Sequence, residues 1–237
     1  MLIPSPRHRA EDLAIWREQE AADIAAGEPS ARVRRSLDVI RDFLARGDAY
    51  CGVSGGKDSI ATAALVRSVA PVRLVHIEAG VHANPDTRRV IEALPWPVEI
   101  THIDYRGLND SDANRVFFAA FDQCGDRYFS GVRSDESTVR RMRFVRWGES
   151  TGRTCAPLSL WSESDVFRFL AAHDLPVHPA YAMNGEGRWP RRWLRVDELA
   201  GDGGAHRGRA EWEREYYGDV LRRADAASAH ASSRASH

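Results

Sequence analysis

The chain has 237 residues, is 43% hydrophobic and carries a formal net charge of −1. That is enough apolar content for one full core, and it supplies no global field to draw nucleic acid or an anionic membrane, so any anion site must be built locally. No run of about eighteen apolar residues occurs, and MLIPSPRHRAEDLAIW lacks the apolar core of a secretory leader, which predicts a soluble, cytoplasmic protein with no membrane partner.

Helix-favouring residues run from Ala10 to Ala26 and stop at Gly27 and Pro29. A second helix carries Val33, Leu37, Ile40 and Leu44 at helical spacing, with Gly47 past its end. Together they predict an N-terminal helical lead-in over 1–47. Short apolar runs then alternate with amphipathic stretches: AYCGV and a helix through Val69; VRLVHI and a helix near Arg88–Leu94; VEITHI and a helix around Asn114–Phe121; YFSGV and a helix near Ser137–Trp147. Alternation of this length predicts an α/β fold with a doubly wound, mainly parallel sheet, and a nucleotide-binding domain over 48–181. In SESDVFRFLAAH, Ser162 is placed to cap a helix with Asp165 in its first turn. Residues 182–225 read as an irregular Arg/Trp-rich lobe followed by the helix AEWEREYYGDVLRRA, and 226–237 as a disordered tail.

CGVSGGKDSIATAAL, residues 51–65, holds the chain's sole lysine, Lys57; every other basic side chain is arginine. The stretch follows an apolar run and opens a helix. There Gly55 and Gly56 let backbone N–H groups approach phosphate, the helix N-terminus favours negative charge, and Ser54 and Ser59 add hydroxyls. Lys57 supplies a compact cation that an arginine fork would not replace in a tight cradle. Asp58 in place of Ser or Thr after the lysine excludes a Walker A loop, and the spacing does not fit a dinucleotide fingerprint.

SGGKDS closely resembles the pyrophosphate-binding PP-loop of the ATP-pyrophosphatase superfamily. GVRSDESTVR resembles the segment shared by phosphoadenylyl sulfate (PAPS) reductases and the ATP sulfurylase small subunit, with Gly131, Arg133, Asp135, Glu136 and Arg140 on the pattern. APLSLWSESDVFRFLAAHDLPVHPAY looks like the segment following the sheet in the same reductases, through Pro157, Leu158, Trp161, Asp165, Val166, Pro176 and Tyr181. The resemblance covers about residues 48–181 and implies an adenine nucleotide alpha hydrolase-like fold. It makes Ser54, Gly55, Gly56, Lys57, Asp58, Ser59, Glu78, Gly80, Gly131 and Arg133 candidate nucleotide-binding residues. Lys57, Asp58, Arg133 and Arg140 are the catalytic candidates. In VHIEAG, Gly80 matches the family, while Glu78 and Ala79 depart from it; Glu78 either accepts from a ribose hydroxyl or is a strand-end carboxylate.

Reductases of this family attack with a C-terminal cysteine, and some carry a cluster bound by cysteine pairs. Here the cysteines are Cys51, Cys124 and Cys155, with none beyond. They read as reduced thiols one short of the four that usually hold an iron–sulfur cluster, and no cluster is expected. Cys155 is the one candidate replacement thiol, against a buried structural role. Two mechanisms compete. One is ATP with Mg²⁺ in adenylyl transfer to an unknown acceptor with pyrophosphate release; the other is reduction of PAPS with an external thiol. A nucleotide-binding subunit that needs a partner protein is a third reading, and homo-oligomers stay open. Arg188, Arg191, Arg192 and Arg195 with Trp189 and Trp193 either pack a lobe or suit an anionic substrate or nucleic acid. His76 and His102 read as strand residues and His82 and His178 as loop residues near the site; no spacing resembles a metal site.

Overall fold

The structure is a computed structural model that describes residues 1–79, 83–103, 110–194, 196, 199 and 208–235. Two helices, α1 (Ala10–Ala26) and α2 (Ser30–Leu44), precede a strand–helix series: β1 (Tyr50–Gly52), α3 (Lys57–Val69), β2 (Arg73–Ala79), α4 (Pro85–Glu92), β3 (Val98–Ile103), α5 (Asp110–Asp122), β4 (Tyr128–Phe129), α6 (Thr138–Trp147), β5 (Thr154–Cys155), α7 (Glu163–Ala172) and α8 (Arg209–Ala235). Five parallel strands lie in the order β3-β2-β1-β4-β5. β1 is central: Cys51 pairs with Leu74 on one side and Phe129 on the other. The chain moves from β1 out to β3 and then returns across β1 to β4. The order therefore reverses between β1 and β4, which opens a crevice at the carboxyl ends of those strands.

Each element has a local cause. Tyr50 and Cys51 of β1 and Phe129 of β4 are buried, as the residues of parallel strands covered by helices are. α3 is buried along most of its length, and Ala61, Ala63 and Ala64 let it lie close to the sheet and to α2 and α7. Asn84 caps α4 by accepting from the Asp86 N–H at 3.0 Å, with Pro85 at the first helical position. Ser162 and Asp165 form a reciprocal capping box on α7, at 3.1 and 2.9 Å.

The two N-terminal helices are fastened to the body. Trp161 Nε1 donates to Ser36 Oγ at 2.9 Å, and that hydroxyl donates to the Pro157 carbonyl at 2.6 Å, tying α2 to the segment before α7. α8 is pinned in turn: Tyr216 donates to Asp12 of α1 at 2.5 Å and Tyr217 to Asp86 of α4 at 3.0 Å. The buried His178 accepts from the Ala180 N–H at 3.1 Å and meets Thr87 Oγ1 at 3.2 Å; burial pushes its pKa down to about 3, so it is a neutral packing residue.

The structure departs from the sequence expectations at several edges. α4 and α5 begin earlier than periodicity placed them, because Pro85 and Asp110 open their first turns ahead of the apolar stripe. YFSGV pairs over only Tyr128–Phe129, and Thr154–Cys155 adds an edge strand too short to leave a periodic signature. α8, kinked where Tyr217 leaves helical geometry, runs to Ala235, past the expected start of the tail at 226. No helix among the described residues is long and apolar enough to cross a membrane.

Candidate functional site

A cleft of about 1080 Å³ opens at the crevice between β1 and β4, with Ser54, Gly56, Lys57, Asp58 and Ser59 on one wall and Gly131, Arg133 and Arg140 on another. β1 delivers the loop, and α3 starts at Lys57 with its N-terminus aimed into the cleft. The loop is braced from within. Ser59 Oγ donates to the Gly56 carbonyl at 2.8 Å and accepts from the Ser54 N–H at 3.1 Å. Ser59 thus holds the turn closed, spending on the loop itself the hydroxyl donor expected for phosphate. Gly55 has φ +80, and a Cβ there would stand 3.0 Å from Thr87 Cγ2. Gly55 shapes the turn, and Gly56 lines the cleft.

Gly131 owes its identity to close approach. A Cβ at this position would meet the Asp58 backbone C and O at 2.9 Å, so the strand-end loop after β4 can pass the start of α3 only without a side chain. That passage brings Arg133 to Asp58.

The charged groups form one network. Lys57 Nζ lies 2.9 Å from Asp58 Oδ2 and 4.0 Å from Glu163 Oε1. Arg133 Nε lies 2.6 Å from Asp58 Oδ1, an ion contact off the hydrogen-bonding direction, and Arg133 Nη1 lies 2.5 Å from Asp135 Oδ1. Arg133 Nη1 also faces the Trp161 carbonyl at 3.4 Å, and Arg140 pairs with Glu136. Burial pulls the Lys57 ammonium down, but Tyr181, Asp58 and Glu163 push it up and prevail, so it stays charged. Burial raises the Glu163 carboxyl above the usual range against the opposing pull of Lys57. Two buried cations, Lys57 and Arg133, therefore share Asp58 beneath a helix N-terminus. A phosphate group entering the cleft could exchange for that carboxylate on both of them.

Tyr181 adds a second contact: its hydroxyl accepts from the Lys57 N–H at 3.2 Å, and its ring lies 5.3 Å from Lys57 Nζ. Glu78 lines the cleft but is engaged by His102 Nδ1 at 2.8 Å and Arg88 Nη1 at 3.5 Å. Gly80, His82 and Arg195 lie outside the described residues. The Arg/Trp-rich segment divides. Arg188 pairs with Glu211 and stacks on Trp189, and Arg191 pairs with Asp23 and lies 3.7 Å from the centre of the Phe167 ring, so both pack the lobe. Arg192 and Trp193 line the cleft. Cys155 is fully buried in β5, its thiol pushed up to about 12 by burial, and it does not line the cleft; Cys51 is likewise buried in β1.

Sequence reasoning missed Glu163 as a cleft residue. It follows the Ser162 cap, and its only local signal is that of a first-turn acid complementing the helix dipole. Only the packing of α7 beside α3 brings it to Lys57.

The sheet order, the glycine turn and the helix N-terminus with its buried lysine define a nucleotide-binding PP-loop protein. Residues 119–185 match the phosphoadenosine phosphosulfate reductase domain. Over that stretch the chain is similar to PAPS reductases. It is 31% identical over 70 residues to the phosphoadenosine 5'-phosphosulfate reductase of Xanthomonas axonopodis pv. citri, which is 28% of this chain and 29% of that protein. It is 34% identical over 56 residues to that of Alkalilimnicola ehrlichii, 24% and 23% of the two chains. The chain thus aligns with under a third of the length of these curated relatives. Among solved structures, the Candida auris PAPS reductase in its phosphate complex superposes with TM-score 0.46 and 15% identity over 60% of this chain and 81% of that one. The Methanococcus maripaludis U34-tRNA thiolase NcsA gives TM-score 0.44 and 15% identity over 85% and 81%.

Proposed function

We propose that the protein is an enzyme that binds ATP in this cleft and catalyses adenylyl transfer to an acceptor, with release of pyrophosphate. The observation that carries the reading is Lys57, buried and charged at the N-terminus of α3, with Arg133 facing it across Asp58 at the sheet's switch point. In the reaction an acceptor oxygen attacks the α-phosphorus. The new O–P bond forms as the bond to the β-phosphate's bridging oxygen breaks, and the acceptor's proton passes to solvent. Ser54, Gly56 and the amides opening α3 cradle the departing pyrophosphate, with Gly55 and Ser59 holding the turn. Lys57, Arg133 and Arg140 offset its charge. Glu78 and Gly131 belong to the nucleotide's surroundings in this reading.

A Mg²⁺ ion arriving with ATP is held largely by phosphate oxygens and needs only one or two carboxylates from the protein. In this reading Asp58 would supply one such carboxylate once phosphate takes its place on Lys57 and Arg133, and Mg²⁺ would add charge neutralisation at the phosphates. Among the described residues no group of three or more His, Cys, Asp or Glu is gathered to hold a metal without a nucleotide.

The match to the reductase domain supports a second reading, binding of PAPS and its reduction by an external thiol. The burial of Cys155 away from the cleft speaks against that thiol being its own. Calorimetric titration with Mg²⁺-ATP and with PAPS separates the two. Tighter binding of ATP is expected; a clear preference for PAPS would replace adenylyl transfer by sulfonucleotide reduction.

A further inference from the structure

α6 leaves the mouth of the cleft, where Ser137 at its cap and Arg140 in its first turn form part of the lining. Beyond that turn it is bare. None of its residues is buried, and Val139, Met142, Val145 and Trp147 are 78%, 67%, 84% and 59% exposed. Its sequence TVRRMRFVRW contains four arginines and no acid, in a chain whose net charge is −1. Arg140 pairs with Glu136, whereas Arg141, Arg143 and Arg146 form no ion pair among the described residues.

The arrangement of these side chains says what can cover them. At about 3.6 residues per turn, Val139, Met142 and Val145 fall on one outward stripe, Arg146 closes its C-terminal end, and Arg141 and Arg143 flank it. Three arginines with no acid among them, set around so narrow an apolar stripe, call for a partner that carries negative charge. A second copy packed face to face would bring arginine against arginine, which is unfavourable. A polyanion with flat apolar faces answers both features, because its phosphates take the arginines while its bases and sugars meet the valines, Met142 and Trp147. The cleft continues the same chemistry. Phe117, Phe121, Tyr128, Arg192 and Trp193 line it, and its volume of about 1080 Å³ is at the upper end of small-ligand sites, which reach about 1000 Å³.

We propose that α6 docks single-stranded nucleic acid at the mouth of the cleft.

The test uses fluorescein-labelled mixed-sequence single strands of about 20 nucleotides, as RNA and as DNA, long enough to cover one binding site. Binding is followed by fluorescence anisotropy between about 50 and 200 mM salt. The wild type is expected to bind at least one of the two, more weakly as salt rises. The Arg141→Glu/Arg143→Glu/Arg146→Glu variant is expected to lose at least about tenfold in affinity, with a shallower salt dependence and unchanged heat of Mg²⁺-ATP binding. The milder triple change to Gln, checked by circular dichroism for an intact fold, is expected to fall between. The proposal is overturned if the wild type binds neither strand, or if the triple variants bind as well as the wild type. It is equally overturned if sedimentation shows a wild-type oligomer that the triple change dissociates, because α6 would then be covered by a second copy. Strand binding without ATP binding would sink the nucleotide reading and leave the docking surface standing.

Discussion

Replacing Arg133 by methionine is expected to weaken ATP binding by at least about tenfold and to cost about 3 kcal/mol of stability, because removing one partner of a buried ion pair strands the other. Arg133 is 4% exposed and stands between Asp58 and Asp135. Methionine fills much of the same space, so the effect comes from charge and not from a cavity. With the guanidinium gone, Asp58 keeps only Lys57, whose ammonium is then held more firmly by the carboxylate that a phosphate has to displace. Calorimetry with Mg²⁺-ATP reads the affinity and urea unfolding reads the stability. A variant that binds ATP like the wild type would remove Arg133 from the phosphate site.

Trp161→Ala is expected to destabilise the fold by about 3–5 kcal/mol, the range for truncating a fully buried aromatic. Trp161 is 2% exposed and packs edge-on against Phe169 of α7. Its indole N–H anchors Ser36 of α2, and its carbonyl faces Arg133. The loss should therefore exceed the cavity left by the ring and also loosen the site. Trp161→Phe retains most of the packing but drops the hydrogen bond, and its unfolding midpoint in urea is expected to lie between the alanine variant and the wild type. Equal midpoints for Trp161→Phe and wild type would assign the whole effect to packing.

The sheet was legible wherever a strand was long or fully apolar. VRLVHI, predicted as a strand, overlaps all but the last two residues of β2, and VEITHI coincides with β3. Thr154–Cys155 was not legible, since two residues carry no period, and their pairing to β4 is a tertiary fact. At the site, the glycines and the sole lysine marked the loop because local backbone geometry and phosphate binding demand those residue types at adjacent positions. Glu163 and Tyr181 reach the same loop from more than a hundred residues away in sequence, and nothing in their own neighbourhoods signals it. The arginine–tryptophan segment shows the limit of composition. Arg188 and Arg191 turn to Glu211 and Asp23 while Arg192 faces the cleft, a division that depends on where α1 and α8 place their acids. α6 was readable as a helix, but its lack of any buried face emerges only from the assembled fold.

The central claim is that the glycine loop and Lys57 form the phosphate site for ATP, and calorimetric titration of wild type and Lys57→Ala with Mg²⁺-ATP tests it most directly. The loss of a buried charge-assisted contact predicts affinity lower by about 100-fold in the variant, about 2.7 kcal/mol, with circular dichroism unchanged. Equal affinity in the two proteins would contradict the account and place the nucleotide, if bound at all, away from this loop.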